Sequence, residues 1–512
     1  MRPNILFIMS DDHAARAISA YGQGLNRTPH IDRLAREGMR LDRCYVTNSI
    51  CTPSRAAILT GTYNHVNTVT TLDTHMDNRL PNVAKHLRAA GYQTGIFGKW
   101  HLGEGPAHEP TGFDRWSVVP GQGFYFDPIM IDASGARRES GYVTDIITDK
   151  CLDFLRERDA ERPFFLLCHH KAPHRNFAPH PKHRSLYADE DLPIPESFTD
   201  DYANRAAAAA AAKMRIRQDM TFDDLGLVQP EGGDEVGELL LEGWTNRKVP
   251  DLAEGGELTL IDAETGERFT FTDSDALARF KYQRYIKRYL RTVASIDENV
   301  GRLLDYLDES GLAQNTIVIY TSDQGFFLGE HGWFDKRFMY EESLQMPFLV
   351  RYPNGIAPGT VAKQIATNVD FAPTFLDYAG VPVPTYVQGA SLRPLFEQAT
   401  GAGWQDVAYH RYWMHKDSFH NAYAHYGVRS ERYKLIYWYN DPLGQEGAFG
   451  PADQPDWELF DCDEDPFELH NRAADPAFAG VFADMLARLD AKMAEIGDIP
   501  EHDSAAALQG RR

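Results

Sequence analysis

The chain has 512 residues, of which 43% are hydrophobic and 25% are charged, as expected for a folded globular protein with more than one structural unit. Its 74 acidic and 52 basic side chains give a net charge of −22, which disfavours duplex nucleic acid or an anionic membrane as a partner. A protein of this charge that binds an anionic ester must concentrate cations or a metal at one place.

The first part of the chain alternates apolar strands with helices. Residues 4–10 are continuously apolar, as are strands buried on both faces of a parallel sheet. Thr28 can cap a helix over residues 29–37, and Gly38 can end it. The same alternation predicts, in chain order, a helix over 80–90, a strand over 92–97, a helix over 142–158 and a strand over 163–168. This pattern predicts an α/β sheet.

Residues 177–280 interrupt the alternation. We expect them to form a surface insertion near the entrance to the functional site. The alanine-rich stretch 202–220 favours a helix. An acidic, glycine-rich segment follows over residues 226–256, and two short strands over 257–261 and 267–272 then predict a β-hairpin. An insertion of this size is also a candidate contact for a homo-oligomer.

The alternation then resumes and changes character near residue 385. The predicted elements are a helix over 280–309, strands over 316–321 and 346–352, and a helix over 369–379. Beyond residue 385 short aromatic-rich strands such as 433–439 precede a closing helix over 482–496. We therefore predict a catalytic α/β domain over residues 1–385, with a large, mixed, mostly parallel sheet flanked by helices. A smaller α+β subdomain with an antiparallel sheet is predicted over 386–512.

Cysteine usage and apolar runs suggest where the protein resides. The five cysteines are widely spaced and form neither a disulfide framework nor a CxxC metal motif. The first apolar run is too short for a secretory signal, and no later run is long enough to span a bilayer. We expect a cytoplasmic protein without a membrane partner.

Polar side chains follow four of the predicted strands at their carboxyl ends. These side chains are Asp11, Asp12, Lys99, His101, His174, Asp323 and Gln324. Taken singly, each could be a helix cap or a turn residue, but ligands of open α/β sheets collect at this edge. Three carboxylates and an amide oxygen suit a hard divalent cation, and the sequence has no His/Cys cluster with zinc spacing.

Cys51 opens the most unusual stretch of the chain, Cys-Thr-Pro-Ser-Arg. Pro53 suits the first turn of a helix, and Gly61 can end that helix. Cys51 would then lie at a helix N-terminus, where backbone N–H groups and the helix dipole favour negative charge, with Arg55 one turn further on. The alternative is a buried structural cysteine. The spacing favours an anionic reaction centre.

These motifs resemble those of the sulfatase family. Cys-x-Pro-Ser-Arg, followed by small residues and Thr-Gly, matches the sulfatase motif, and the resemblance runs from Asn4 to Asn471. It implies an alkaline phosphatase-like fold and conversion of Cys51 to formylglycine by a formylglycine-generating or other sulfatase-maturing enzyme. It also implies one divalent metal, with Ca²⁺ favoured over Mg²⁺ or Mn²⁺, held by Asp11, Asp12, Asp323, Gln324 and the modified Cys51. Many sulfatases have Asn where this chain has Gln324.

The same resemblance implies roles for the remaining residues of the site. Arg55 would neutralise the sulfate together with the metal, and Lys99 would bind sulfate oxygens. Lys336 and His174 would stabilise or protonate the departing alcohol. His101 would deprotonate the second hydroxyl of the aldehyde hydrate and so expel sulfate.

The identity of the ester is suggested by a local resemblance. Residues 171–176, with 201–203 downstream, are similar to bacterial N-acetylglucosamine-6-sulfatase and mucin-desulfating branches. We expect a sulfated sugar as the natural substrate and aryl sulfates as artificial ones. Two alternatives stay open: a phosphonate monoester or phosphodiester hydrolase of the same superfamily, and a non-catalytic metal- or glycan-binding protein with unmodified Cys51.

Overall fold

The computed structural model describes residues 2–22, 24–230, 247–401 and 403–509, and its centre is one large β-sheet. Within these residues ten strands form the sheet. In chain order they are Asn4–Asp11 (β1), Met39–Leu41 (β2), Gln93–Lys99 (β3), Arg115–Val119 (β4), Ile129–Asp132 (β5), Gly135–Arg138 (β6), Phe164–Pro173 (β7), Thr316–Ser322 (β8), Phe348–Arg351 (β9) and Thr360–Ala362 (β10). Across the sheet the order is β10-β2-β9-β8-β1-β7-β3-β4-β5-β6.

The middle of the sheet is parallel. β1 pairs in parallel with β8 on one side and with β7 on the other, and β3 continues the parallel run between β7 and β4. β9 is antiparallel to both β8 and β2, and β5 and β6 add an antiparallel flank. Every residue of β1 is buried, as its continuously apolar sequence predicts. The prediction of a mixed, mostly parallel sheet is confirmed.

Helices cover both faces of this sheet. The helices of the described residues are Pro29–Glu37 (α1), Cys51–Thr60 (α2), Asn64–Asn67 (α3), Val83–Ala89 (α4), Val143–Glu157 (α5), Ala207–Ala211 (α6), Ile216–Asp219 (α7), Ser274–Glu309 (α8), Glu341–Leu344 (α9), Phe371–Tyr378 (α10), Arg393–Phe396 (α11), Ala479–Ile496 (α12) and Ser504–Leu508 (α13). Alternate side chains of β1 point to opposite faces. Ile5 and Phe7 pack in one core with α2, α4 and α10, whereas Leu6 and Ile8 pack in another with α1, α5 and α8.

The predicted helix over 202–220 is wrong. Only α6 and α7 form there, and Ala206 and Ala212 on either side of α6 are extended. The backbone N–H of Ala206 donates to Glu458 over 2.8 Å, and that of Lys213 donates to the carbonyl of His420 over 2.7 Å. Contacts with the C-terminal region therefore override the helical preference of alanine.

The rest of the insertion agrees with the sequence prediction where it is described. Leu258–Ile261 and Arg268–Phe271 pair as an antiparallel hairpin. Part of the acidic segment, residues 231–246, lies outside the described residues. The long helix α8 begins at Ser274, earlier than predicted, because the Asp273 side chain caps it by accepting from the N–H of Ala276 over 2.7 Å.

The C-terminal region has its own antiparallel sheet. Its strands are Ala408–Tyr412 (β11), His425–Arg429 (β12), Tyr433–Trp438 (β13) and Asp456–Asp461 (β14). Side chains of α12 pack against this sheet in a separate core. Two smaller pairs complete the described strands, Cys44–Tyr45 with Ala366–Thr367 and Phe327–Leu328 with Phe334–Asp335. The predicted C-terminal antiparallel sheet is confirmed, and the domain boundary at residue 385 stays a prediction.

A membrane-spanning helix was not expected from the sequence. Among the residues described here, no helix combines the length and the apolar character needed to cross a bilayer. The cytoplasmic location stays a prediction.

Candidate active site

The carboxyl ends of four parallel strands meet at one edge of the sheet. β1 ends at Asp11, β3 at Lys99, β7 at Pro173 and β8 at Ser322. The polar residues predicted for this edge are these strand ends or follow within two residues: Asp11, Asp12, Lys99, His101, His174, Asp323 and Gln324. Except for His101, which is partly exposed, all of them are buried.

Helix α2 points its N-terminus at the same edge. It begins at Cys51 and ends at Gly61, which has a φ of 68° and donates its N–H to the carbonyl of Ala57. Cys51 Sγ lies 3.3 Å from Asp11 Oδ1. One turn on, the Arg55 guanidinium donates to Asp323 Oδ2 from Nε over 3.0 Å and from Nη2 over 2.8 Å. The predicted helix entry at Cys51 is confirmed.

Each of the three carboxylates at this edge is paired with its own cation. The pairs are Asp11 with Lys99, Asp12 with Lys336 and Asp323 with Arg55. The Asp12–Lys336 distance is 2.7 Å, and none of the six side chains is more than 3% exposed. Three formal negative charges and three formal positive charges thus cancel before any ligand binds.

Two of these carboxylates have pKa values above the ordinary value for an aspartate. Burial raises the pKa of Asp12 to about 7, with the charge of Asp11 adding to the effect and Lys336 opposing it. Burial and the charge of Asp11 likewise raise the pKa of Asp323 to about 6. Burial alone would raise the pKa of Asp11 too, but Lys99 and the other nearby cations hold it well below its usual value. Like charges at this spacing disfavour the charged form of each neighbouring carboxylate, so a further bound cation would favour ionisation of Asp12 and Asp323.

The donor atoms at the edge fit a hard divalent cation. Oxygen atoms of Asp11, Asp12 and Asp323 lie within 4.8 Å of one another. Gln324 contacts Asp12 through its amide nitrogen, whereas its amide oxygen is buried and has no hydrogen-bond partner in the described part of the chain. Turning the amide by half a turn presents that oxygen to the carboxylates. Carboxylate and amide oxygens are the ligands that Ca²⁺ and Mg²⁺ prefer.

Two histidines and a lysine border the carboxylates. His174 Nε2 lies 3.7 Å from Asp12 Oδ2, and His101 Nδ1 lies 3.3 Å from the Thr52 hydroxyl. Burial lowers the pKa of both imidazoles well below the usual value, so both are neutral in the free protein. The ammonium of Lys336 is also buried, but Asp12 raises its pKa above the ordinary value and keeps it protonated.

Three other histidines near these motifs contact different groups. His331 Nδ1 lies 2.9 Å from Asp200, and the ring packs against Trp333. His13 lies 2.6 Å from the Tyr320 hydroxyl, and His170 lies 3.5 Å from the Cys168 sulfur. These rings pack around the edge rather than at its centre.

A second charged group beside Lys336 was missed by the sequence reasoning. Arg337 follows Lys336 and is buried, with Nε 3.7 Å from Asp335 and 3.9 Å from Asp417. His420 Nε2 lies 3.2 Å from Asp335. Arg337 Nη1 has no hydrogen-bond partner in the described ranges. The Asp-Lys-Arg run was a usable signal, whereas Asp417 and His420 come from the C-terminal region and had none.

A cleft opens next to the N-terminus of α2. It has a volume of about 500 Å³ and is lined by Thr52, His101, Trp100 and Trp116, among others. Aromatic walls beside polar groups are common in ligand sites. Gln122, another residue that the sequence did not reveal, accepts a hydrogen bond from Lys99 in the same region.

Comparison with known proteins agrees with this arrangement. Residues 3–381 match the Sulfatase family profile, and residues 329–495 match the profile of the N-sulphoglucosamine sulphohydrolase C-terminal region. An N-acetylglucosamine-6-O-sulfatase of Bacteroides thetaiotaomicron is 44% identical over 483 residues, which are 92% of this chain and 82% of that protein.

Solved structures with the same fold extend the comparison. One, described as a complex with its substrate D-glucosamine-2-N,6-O-disulfate, superposes with a TM-score of 0.86 at 40% identity and covers 97% of this chain and 98% of its own. A phosphonate monoester hydrolase of Agrobacterium radiobacter reaches a TM-score of 0.67 at 20% identity, over 97% of this chain and 96% of its own. The second likeness concerns the fold alone.

Proposed function

Because the chain belongs to the sulfatase family and is a sulfuric ester hydrolase, we propose that it removes the 6-O-sulfate of a glucosamine or N-acetylglucosamine residue. The names of the two most similar proteins described above support this substrate class. The observation that carries the proposal is the position of Cys51. It lies at the N-terminus of α2, 3.3 Å from Asp11, among buried carboxylate–cation pairs.

The proposal requires Cys51 to be converted to formylglycine by a maturing enzyme. Burial raises the pKa of the Cys51 thiol above its ordinary value, and the charge of Asp11 adds to this, so the unmodified side chain has little thiolate with which to attack. An aldehyde hydrate would instead supply one hydroxyl for attack on sulfur, with cleavage of the bond between sulfur and the departing alcohol, and a second hydroxyl whose deprotonation would expel sulfate and restore the aldehyde. The site therefore favours the modified residue over the thiol.

We propose Ca²⁺ as the metal and assign its ligands to the modified Cys51 and to Asp11, Asp12, Asp323 and Gln324. A bound divalent cation supplies Lewis-acid polarisation of a sulfate oxygen and stabilises an oxyanion. Because the carboxylates are already neutralised by Lys99, Lys336 and Arg55, two positive charges remain. These match the single charge of a sulfate monoester and one nucleophile oxyanion.

The chain's own residues then divide the remaining tasks. Lys99 and Arg55 place positive charge where the sulfate oxygens would lie. His101 is neutral and lies next to Thr52, so it can accept the proton of the second hydroxyl. Lys336 stays protonated and can donate to the departing oxygen. An anionic substrate raises the pKa of the neighbouring His174, which can then share a proton with the same oxygen.

The group around Arg337 supports a sugar as the alcohol. A buried guanidinium, with one N–H that has no partner among the described residues, lies next to the carboxylate of Asp335 and the ring of His420 and offers donors and acceptors for vicinal hydroxyls. An aryl alcohol would offer this Arg337 N–H no partner, at a cost of about 1–3 kcal/mol relative to a sugar hydroxyl. We expect aryl sulfates to be hydrolysed as artificial substrates because their leaving groups need less protonation.

The decisive experiment combines mass spectrometry of the Cys51 peptide with kinetics. Protein co-expressed with a maturing enzyme should carry the aldehyde and hydrolyse N-acetylglucosamine 6-sulfate. Cys51→Ala, which cannot be converted, should be inactive with an unchanged melting temperature. A thiol throughout, with no turnover, would support a non-catalytic binding protein. A higher kcat/KM for a matched aryl phosphonate monoester or phosphodiester than for the aryl sulfate would overturn the sulfatase assignment.

A further inference from the structure

The loop that carries His174 is held by two side chains through its backbone carbonyls. The Tyr125 hydroxyl donates to the carbonyl of His174 over 2.6 Å. Lys171 Nζ donates to the carbonyl of Arg175 over 3.1 Å, and His174 Nδ1 lies 2.8 Å from that same oxygen. One carbonyl is therefore shared by the lysine and the histidine.

This shared carbonyl determines which nitrogen of His174 faces the reaction. A carbonyl oxygen only accepts hydrogen bonds, so His174 Nδ1 must carry the hydrogen. Nε2 is then the nitrogen that faces Asp12, at 3.7 Å. A ligand nitrogen of His174 also lies within 4.8 Å of Cys51 and Asp11 donor atoms. A proton carried on Nε2 would be directed to the place where an alcohol departs.

Lys171 connects the two parts of this clamp. Its side chain is buried, and its ammonium lies 4.7 Å from the centre of the Tyr125 ring, within the range of a cation–π contact. The same ammonium donates to the Arg175 carbonyl, which the His174 ring also contacts. Lys171 therefore touches both Tyr125, which holds the His174 carbonyl, and the Arg175 carbonyl, which holds the His174 ring. Burial, with the charge of Lys99 adding to it, lowers the pKa of Lys171 to about 7.

The side chain of Arg175 is anchored separately. Its Nε donates to Asp224 of the insertion over 3.0 Å, and its guanidinium lies over the Phe334 ring. Removing the Lys171 ammonium would therefore leave the loop attached while releasing one carbonyl. The ring of His174 would lose the constraint on its orientation without losing its place in the chain.

We propose that Lys171 is a positioning residue, which holds the Arg175 carbonyl so that His174 presents Nε2 to the departing sugar oxygen. The inference rests on the proposed role of His174 at the leaving group. It predicts a dependence on the leaving group, because proton donation matters most when the departing alcohol is basic. A residue that only stabilised the fold would slow all substrates equally.

The test compares kcat/KM for N-acetylglucosamine 6-sulfate and 4-nitrophenyl sulfate. Lys171→Met should lose about 30- to 100-fold on the sugar sulfate, up to the lower end of the range for a general acid, and less than about threefold on the aryl sulfate. His174→Ala should show the same split, larger in size. The double variant should be no slower than His174→Ala alone, because the two residues act through one interaction.

A matched control is available in Lys281. It is also a buried lysine that donates to backbone carbonyls, those of Arg217, Val249 and Pro250, but it lies in α8 outside the site. Lys281→Met should lower the melting temperature without changing the ratio of the two kcat/KM values. Lys171→Arg, which keeps a donor and a charge, should recover most of the sugar sulfate activity.

The possible outcomes separate the two proposals. Equal losses of Lys171→Met on both substrates, or losses that add to those of His174→Ala, would overturn the Lys171 inference alone. Should Lys171→Met fail to fold, the same comparison is made with Lys171→Gln, and an unchanged ratio there overturns the inference equally. A matured wild-type protein that hydrolyses neither sulfate would overturn the proposed function, and with it any role of His174 in leaving-group departure.

Discussion

Two clusters of charged side chains in this protein, one buried and one partly buried, have similar composition and differ in the position of their cations. The catalytic-edge cluster consists of Asp11, Asp12 and Asp323 with their partners Lys99, Lys336 and Arg55. The C-terminal cluster consists of Glu341, Glu468 and Cys462 with Lys434 and Arg429. In each cluster, three side chains have an oxygen or sulfur atom that could bind a metal ion, and these three atoms lie within 4.8 Å of one another.

The difference lies in what occupies the centre of each cluster. Lys434 Nζ lies 3.0 Å from Glu341 and 2.6 Å from Glu468, so a protein cation bridges the two carboxylates where a metal would lie. At the catalytic edge each cation pairs chiefly with a different carboxylate, with Arg55 Nη2 also 3.8 Å from Asp11, and the Gln324 amide oxygen is left without a partner among the described residues. The catalytic edge is therefore better suited to a metal than the C-terminal cluster, whose two glutamates already share a lysine.

The largest expected effect is a loss of activity on substitution in the catalytic-edge cluster, with no such loss on substitution in the C-terminal cluster. Asp323→Asn removes a proposed metal ligand and the partner of Arg55, and should lower kcat/KM for the sulfated sugar by at least about 10³-fold, or about 4 kcal/mol. Glu468→Gln, the matched change in the C-terminal cluster, should leave kcat/KM within about twofold. Comparable losses in the two variants would show that the clusters do not differ in function.

A second comparison concerns stability. Lys434→Met leaves the buried Glu468 and the partly buried Glu341 without their shared cation and should cost about 3 kcal/mol of unfolding free energy. Lys336→Met should cost only about 1 kcal/mol when a divalent cation is present, because that cation still neutralises Asp12. Denaturant titrations with and without the metal measure both values. Equal costs under both conditions would contradict a metal at the catalytic edge.

Metal binding should be visible without any turnover. A divalent cation at 100 times its Kd should stabilise the wild-type protein by about 2.7 kcal/mol, and a chelator should reverse the shift. Glu468→Gln should keep this response, whereas Asp12→Asn should lose it. Thermal denaturation scans with Ca²⁺, Mg²⁺ and Mn²⁺ test the response and rank the ions. A shift that persists in Asp12→Asn would place the ion elsewhere.

A further expected effect is a pH dependence of the stability. Burial raises the pKa of Glu458, beside the C-terminal cluster, from 4.5 to about 7, so between these values the folded state binds more protons than the unfolded state. Unfolding free energy should then fall as pH rises through this window. Glu458→Gln should flatten the profile by about 3 kcal/mol.

Adding the metal to the same measurement distinguishes the contribution of the catalytic-edge cluster from that of Glu458. Burial also raises the pKa of Asp12 to about 7, but a bound cation favours the charged carboxylate and removes that part of the slope. Saturating metal should therefore flatten the wild-type profile only in part and leave the contribution of Glu458. A profile of Glu458→Gln parallel to that of the wild type would refute this assignment.

Local sequence patterns identified most of the catalytic edge. Apolar runs followed by Asp11, Lys99 or Asp323 marked strand ends, and Pro53 with Gly61 marked the helix that begins at Cys51. These features depend on the backbone preferences of single residues and on the spacing of apolar residues along the chain, both of which are local properties of the sequence. The sheet class followed from the same patterns. The homo-oligomer contact and the maturing enzyme stay proposals.

Only the tertiary structure decided how these residues are paired. Arg55 meets Asp323 from 268 positions away in the chain, and Lys336 meets Asp12 from 324 positions away. The alanine-rich stretch lost its predicted helix to a contact with Glu458, 252 positions downstream of Ala206. Such pairings depend on how separate elements pack, and no local preference encodes them. The sequence therefore determined which residues reach the edge, whereas packing decided which carboxylates keep an opening for a metal.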